Sequence, residues 1–300
     1  MPGTTLEPER IGGAIVKKTF CYLTLCAVLL ASFSCGKPRA KTGPSIVTSI
    51  FPVYDMVRNI AGDRTDVFFV VPPGANPHTF EPPPSAVRKI QGASLFFGID
   101  RRFDGWVEKF LPPGSESVYL KAGPAYDRIH NPHIWLSLKN ARRMCAEIAA
   151  VLSARSPEDR EYYTASLNAY SNKLDALDRE IIALFEPVRN RRFFQWHPAW
   201  NYFADDYGLT VAGTLQKGHG ETVSVRGFKE LVDTARRGKI RIVTIGLRVH
   251  SPETLSLVKE IDGIQVVLDT IGDPSVPARD SYLKLMEYNA ALLAEKMKKQ

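Results

Sequence analysis

The chain has 300 residues, 44% of them apolar, and a formal charge of +7 at neutral pH. That length favours two lobes over one small domain, and the apolar share supports a sizeable core. The positive charge is scattered, with doublets such as Arg236-Arg237 and no groove-reading motif, so nucleic acid is excluded as a partner.

Lys17-Lys18 precedes an apolar run over residues 19–33, which is too short to span a bilayer and ends in small residues before Cys35-Gly36-Lys37. This is the layout of an export signal, and Cys35 falls where a bacterial lipoprotein signal carries its lipid-bearing cysteine. Residues 1–35 are therefore expected to form an export segment, with the mature chain beginning at Cys35 and anchored by lipid to the membrane. Residues 36–45, with Pro38, Gly43 and Pro44, read as a flexible tether. The remaining cysteines are Cys21, Cys26 and Cys145, with no C-x-x-C pair and no disulfide framework. Cys145 lies in a helical stretch and reads as a small buried hydrophobe.

The first lobe is expected over residues 46–153. A strand over 46–51 leads through Pro52 into a helix to residue 61, since proline is tolerated in a first turn. Residues 67–71, 94–98 and 117–120 read as further strands; 85–91, 103–110 and 139–152 read as helices. Strands alternating with helices point to parallel βαβ units, in which ligands bind beyond the carboxyl ends of the strands. Ser156-Pro157-Glu158-Asp159 reads as a capping serine, a first-position proline and an acidic first turn, opening a connecting helix over 156–187. Tyr163, Leu167, Tyr170, Leu174, Leu177, Ile181 and Leu184 recur at the spacing of one helical face. About thirty residues make a rod of roughly 45 Å, a spine between lobes; a coiled-coil dimer helix is the alternative, and a monomer is expected. The second lobe, 191–300, repeats the alternation, with strands at 192–196, 209–213, 240–246 and 265–268 and a closing helix over 281–299.

Four residues stand where such a fold places ligands. His78 sits in Pro73-Gly74-Ala75-Asn76-Pro77-His78-Thr79-Phe80-Glu81-Pro82, a loop stiffened by proline after the second strand. His133 follows Pro132 in Asn131-Pro132-His133-Ile134-Trp135-Leu136-Ser137, with His130 three residues before it. His197 follows the strand at 192–196, and Asp269 ends the last strand. Taken singly, each also has an ordinary structural use as a helix-entry, packing or turn residue. Together they give three imidazoles and one carboxylate, two from each lobe, a four-coordinate set suited to zinc in the interlobe cleft.

These motifs resemble the metal-binding solute-binding proteins of ABC importers for zinc and manganese. The resemblance runs from Ile46 to the last helix. Pro77-His78-Thr79-Phe80-Glu81-Pro82 is similar to the family's first ligand motif and Asn131-Pro132-His133-Ile134-Trp135-Leu136 to its second. His197 with Tyr202-Phe203 and Tyr207-Gly208-Leu209 is similar to its third, and Leu268-Asp269 to its fourth. The resemblance implies an α/β fold of two lobes with mainly parallel sheets, joined by one long spine helix, with the metal site in the interlobe cleft. It also implies extracytoplasmic capture of a divalent transition metal and delivery to an ABC permease in the cytoplasmic membrane. Zn2+ is expected, because three neutral imidazoles favour it; Mn2+ is the alternative, since manganese members often place glutamate where His197 stands. Three departures are visible. Ser137 replaces an aspartate usual after His-x-Trp-Leu. Gly246-Leu247-Arg248-Val249-His250 stands where an acidic residue is common. No histidine-rich loop precedes Asn131.

Two other functional classes fit the sequence less well. A zinc hydrolase needs an open coordination position and a general base. Four protein ligands close the site, no His-Glu-x-x-His occurs, and Glu81 is fenced by Pro82-Pro83-Pro84. An enzyme is therefore not expected. A surface adhesin or interaction lipoprotein is the remaining alternative, and the sequence has no repeat or distinct binding module to support it.

Overall fold

Two four-stranded parallel sheets, each with helices packed against it, form the body of the chain. The computed structural model describes residues 1, 3, 45–123, 131–217 and 221–300. Apart from residues 1 and 3, the stretch expected to be an export segment, with Cys35, the expected tether up to residue 44 and His130, lies outside the described residues. Among those described, no helix is long and apolar enough to cross a membrane.

The first sheet has the order β2-β1-β3-β4, from Val67–Phe69, Ile46–Thr48, Leu95–Gly98 and Glu116–Tyr119. Central β1 pairs in parallel with both neighbours, Ile46 standing opposite Val67 and Leu95. All of β1 and β3 is buried, as a parallel sheet covered on both faces requires. Helices α1 (Phe51–Ala61), α2 (Pro84–Ile90) and α3 (Leu138–Arg155) accompany it. The second sheet has the order β10-β9-β5-β6, from Ile264–Leu268, Ile242–Gly246, Arg192–Gln195 and Thr210–Thr214.

Serine caps set several helix starts. Ser137, Ser224, Ser251 and Ser281 accept the backbone N–H groups of Asn140, Gly227, Thr254 and Lys284. They open α3, α6 (Val225–Gly238), α7 (Pro252–Glu260) and α8 (Tyr282–Met297). Gly208, in the left-handed region at φ 63°, stops the short α5 (Asn201–Tyr207). That helix follows the third histidine of the sequence set.

The long helix α4 runs Arg160–Phe185, 26 residues, or about 39 Å. It is shorter than expected because Pro157–Asp159 forms a separate 3₁₀ turn, and Ser156 makes no side-chain cap there. Asp159 instead meets Arg64 at 3.3 Å. Of the face spaced in the sequence, Tyr163, Tyr170, Leu174, Leu177 and Ile181 are buried and Leu167 and Leu184 partly so, and Phe185, which lies outside that spacing, is buried with them. That face is covered within the same chain by α1, α3 and α8. One apolar core continues from Ile46 and Ile50 beside the first sheet, through Tyr170 and Ile181 of α4, to Leu268 and Leu293 beside the second. Both sheets belong to one compact unit, Lys41–Gln300.

Two local differences from the sequence reading have plain causes. Gly105–Phe110 is a 3₁₀ helix and not an α-helix; Asp104 takes the preceding turn into the interior, accepting the hydroxyl of Ser49 at 2.6 Å and the N–H of Ile99 at 2.8 Å. A two-stranded hairpin, β7 (Gln216–Lys217) with β8 (Glu221–Thr222), is too short to show any alternation. Cys145 is fully buried, and burial pushes its thiol up to about 12, so it stays an inert hydrophobe.

Candidate metal centre

Parallel pairing sends the carboxyl ends of each sheet's strands to one edge, and the candidate ligands leave from those ends. The β2 strand opens into the proline loop, where Gly74 turns at φ 79° and the N–H of His78 donates to Asn76 Oδ1 at 3.0 Å. After β4, the second Pro-His loop enters a single 3₁₀ turn, Ile134–Leu136, before α3. After β5, Gln195 fixes the third loop: its amide nitrogen donates to Asn201 Oδ1 and Thr214 Oγ1, and its oxygen accepts the N–H of Trp200.

These three loops bring His78, His133 and His197 together, with one nitrogen of each ring within 4.8 Å of the others. The His78 and His133 Nε2 atoms are 3.2 Å apart. Ring centroids lie 5.2 Å apart for His78 and His133, 5.1 Å for His78 and His197, and 5.0 Å for His133 and His197. Zinc–nitrogen bonds of about 2.0–2.1 Å at the tetrahedral angle place donor atoms roughly 3.3 Å apart. The His78–His133 spacing already has that size, and a nitrogen of His197 lies within 4.8 Å of a nitrogen of each.

The far side of two rings is held so that Nε2 faces the others. His133 Nδ1 lies 2.6 Å from Asn131 Oδ1, an atom that only accepts, so the proton sits on Nδ1 and the Nε2 lone pair is free. The Asn131 amide is itself oriented by donating to Pro198 O, a contact between the second and third loops. His197 Nδ1 lies 3.2 Å from Gln216 Oε1 on the hairpin strand β7. His197 Nε2 is buried with no hydrogen-bond partner. Orienting partners of this kind fix the tautomer of metal-binding imidazoles.

Burial supplies the electrostatics. His133 is held well below the usual imidazole range by desolvation, then by the neighbouring His197 and His78. His197 is lowered by desolvation, with the Gln216 contact opposing. Both rings are therefore neutral at pH 7, the form that ligates. A lowered pKa means that acidification must go below the ordinary value of about 6.5 before these rings take up protons. Zinc affinity is accordingly expected to change little between about pH 8 and 6.5 and to fall below that. Chelator-competition titrations across this range test it. A steep loss near pH 7, with all three rings protonating together, would contradict the burial argument.

Asp269 is not one of the converging group. Its Oδ1 accepts the N–H groups of Ile271 at 3.0 Å and Gly272 at 3.1 Å, and its Oδ2 accepts from Arg279 Nη1 at 2.7 Å. It is linked to the histidines through Trp135. The indole N–H donates to Thr270 O at 2.6 Å, and the ring lies 5.2 Å from His133 and 5.5 Å from Phe103. Phe103 in turn stands 5.0 Å from His78.

The departures at Ser137 and Arg248 have structural uses. Ser137 Oγ caps α3 and donates to Asp206 Oδ2 on α5 at 2.6 Å, so a carboxylate meets this position from the other lobe. Arg248 adopts φ 60°, and its guanidinium lies over the turn before His78: a Cβ on Gly74 would come within 2.5 Å of Nη1. Sequence reasoning missed Asn131, Gln216 and Arg279. Asn131, two residues before His133, carried a local signal as an Asx-type acceptor; Gln216 reaches His197 from strand β7 and Arg279 reaches Asp269 from a loop.

Residues 46–296 match the family described as zinc-uptake complex component A, periplasmic. The chain is 29% identical to the manganese ABC transporter substrate-binding lipoprotein PsaA of Streptococcus mitis, covering 94% of this chain and 98% of that protein. It is 27% identical to the zinc-binding lipoprotein AdcA of Streptococcus pneumoniae, covering 93% of this chain and 60% of that one. The fold is similar to that of a manganese-bound periplasmic metal-binding protein from Candidatus Liberibacter asiaticus, with a TM-score of 0.76 at 21% identity over 84% of this chain and 99% of that one. Proteins of this family are substrate-binding components of ABC importers that work with a membrane permease, and they are not enzymes. With the match spanning nearly everything beyond residue 45, the chain belongs to the family of zinc-uptake complex component A, periplasmic.

Proposed function

We propose that this protein binds a divalent transition metal outside the cytoplasm, Zn2+ in preference to Mn2+, and delivers it to an ABC permease. The observation that carries this reading is the convergence of three imidazoles from both sheets, two of them oriented by amide oxygens, with an unpartnered buried Nε2 among them. Borderline nitrogen donors favour zinc, and the affinity order of divalent metals points the same way. Names of relatives include both metals, and a manganese-binding member is the alternative. His78, His133 and His197 are the ligands in this reading, with Asp269 completing a four-coordinate set. Lipid attachment at Cys35 would tether a monomeric protein at the outer face of the membrane. Because α4 and the core run unbroken between the two sheets, capture and release would involve small movements of the lobes.

Elemental analysis of residues 36–300, purified without chelator, followed by stripping and titration with zinc and manganese, tests the reading. One tightly held zinc per chain that manganese fails to displace supports it. Preference for manganese keeps the function and replaces the metal. No stoichiometric metal overturns it.

A further inference from the structure

The carboxylate expected as fourth ligand is already fully engaged. Asp269 holds a charge-assisted bond of 2.7 Å to Arg279, and the side chains are only 6% and 15% exposed. Two backbone N–H groups take the other oxygen. The Asp269 peptide is clamped as well: its N–H donates to Asn289 Oδ1 at 2.8 Å, and its carbonyl accepts from Asn289 Nδ2 at 2.6 Å. The carboxylate is thus held by its own loop, by Asn289 and by Arg279, and in the metal-binding reading what varies is which cation faces Oδ2.

Arg279 is carried on a loop with its own anchors. Its N–H donates to Val276 O at 2.8 Å, and its carbonyl accepts the Asp273 N–H at 3.1 Å. The loop passes close to Gly272, where a Cβ would meet the Arg279 carbonyl at 3.1 Å and Phe51 at 3.0 Å. The guanidinium carbon lies 5.4 Å from the Tyr288 ring, which offers the cation a second seat when the carboxylate turns elsewhere. An ion pair this buried is costly to break without a replacement charge, and a divalent cation held by three imidazoles supplies one.

We propose that Arg279 is a built-in competitor for the fourth ligand: guanidinium and metal exchange at Asp269, so Arg279 sets how tightly the cargo is held and which metal is held best. This rests on the metal-binding reading above. While Arg279 keeps the carboxylate, the available donors are three neutral imidazoles, a set that suits zinc. Manganese depends more on oxygen ligands, so it gains less from the histidines alone and must displace the guanidinium to bind well. Arg279 thereby discriminates against manganese, and its return to Asp269 favours release of the metal to the permease.

The test compares zinc and manganese dissociation constants, by chelator competition, for the wild type, Arg279→Gln, Arg279→Lys, Asp269→Asn and the Arg279→Gln/Asp269→Asn double variant. Arg279→Gln is expected to bind manganese about tenfold tighter, a typical size for coupling between two ligands of one protein, and zinc by a smaller factor. Arg279→Lys should fall between, because it keeps the charge but makes a single-point contact; it also carries the test if the glutamine variant fails to fold. The gain should vanish in the double variant, a dependence that loss of mere structural support would not produce. Unchanged or weaker manganese binding in the Arg279 variants, or a gain that persists without Asp269, overturns the proposal. Those outcomes, seen with intact wild-type zinc binding, leave the metal-binding reading standing. Absence of zinc binding in the wild type removes both.

Discussion

Replacing His133 by alanine is expected to weaken zinc binding by more than about a hundredfold, more than the same change at His78 or His197. Loss of a partner that merely orients a ligating histidine costs roughly 10–100-fold, and loss of the ligand itself should exceed that. His133 has the largest effect because it is the most buried of the three, with its Nε2 3.2 Å from that of His78 and its ring 5.0 Å from that of His197. Asn131 fixes its lone pair in that direction, so no rotation of a neighbouring donor can replace it. His78 is exposed, and its removal leaves buried His133 and half-buried His197 in place. Two measurements check this. Chelator competition reads the affinities directly. Thermal unfolding reads the stabilisation by bound metal, about 2.7 kcal/mol at a free concentration one hundred times the dissociation constant. In the His133→Ala protein that stabilisation should be lost at zinc concentrations that saturate the wild type. Affinity within a few-fold of the wild type would remove His133 from the ligand set.

Much of this arrangement was legible in the chain because its signals are local. Alternating strands and helices, proline in the first turn of α1 and the apolar face of α4 each follow from residues a few positions apart. Proline-framed His78 and His133 also announced themselves, since a stiff loop at a strand end is a local pattern with a topological meaning. What stayed hidden depends on long-range placement. Gln216 orients His197 from a two-residue strand that shows no periodicity. Asp206 meets Ser137 from a helix 69 positions away. Asp269 was readable as a carboxylate at a strand end, but its engagement by Arg279 was not, because charge spacing in an irregular loop says nothing about which side chain turns inward. The 3₁₀ turn before α4 was missed for a related reason. Ser-Pro-Glu-Asp is a strong start signal, and tertiary pairing of Asp159 with Arg64 took the first turn out of the α-helix.

Substituting Trp135 should have the largest effect on folding, and it separates stability from affinity. Trp135 is fully buried, packs in tilted contact with Phe103 and His133, and its carbonyl accepts the Tyr282 hydroxyl at 2.6 Å. Trp135→Ala removes a core side chain of the largest size and is expected to destabilise the protein by about 3–5 kcal/mol. Trp135→Phe retains most of the packing and deletes the indole N–H that holds Thr270 O. Losing this part-buried hydrogen bond should cost about 1 kcal/mol. Because Thr270 adjoins Asp269, the phenylalanine variant should also lose roughly tenfold in metal affinity, at the low end for a residue that only supports a ligand. Denaturant unfolding of the metal-stripped protein gives the first quantity, and zinc titration of the folded variant gives the second. If Trp135→Phe loses stability but binds zinc as the wild type does, the indole acts on the core alone, and the link from the second histidine loop to the end of β10 has no part in holding metal. If both fall, the hydrogen bond to Thr270 joins the carboxylate of the second sheet to the histidines of the first, and the position of the fourth ligand depends on a side chain that never touches the metal.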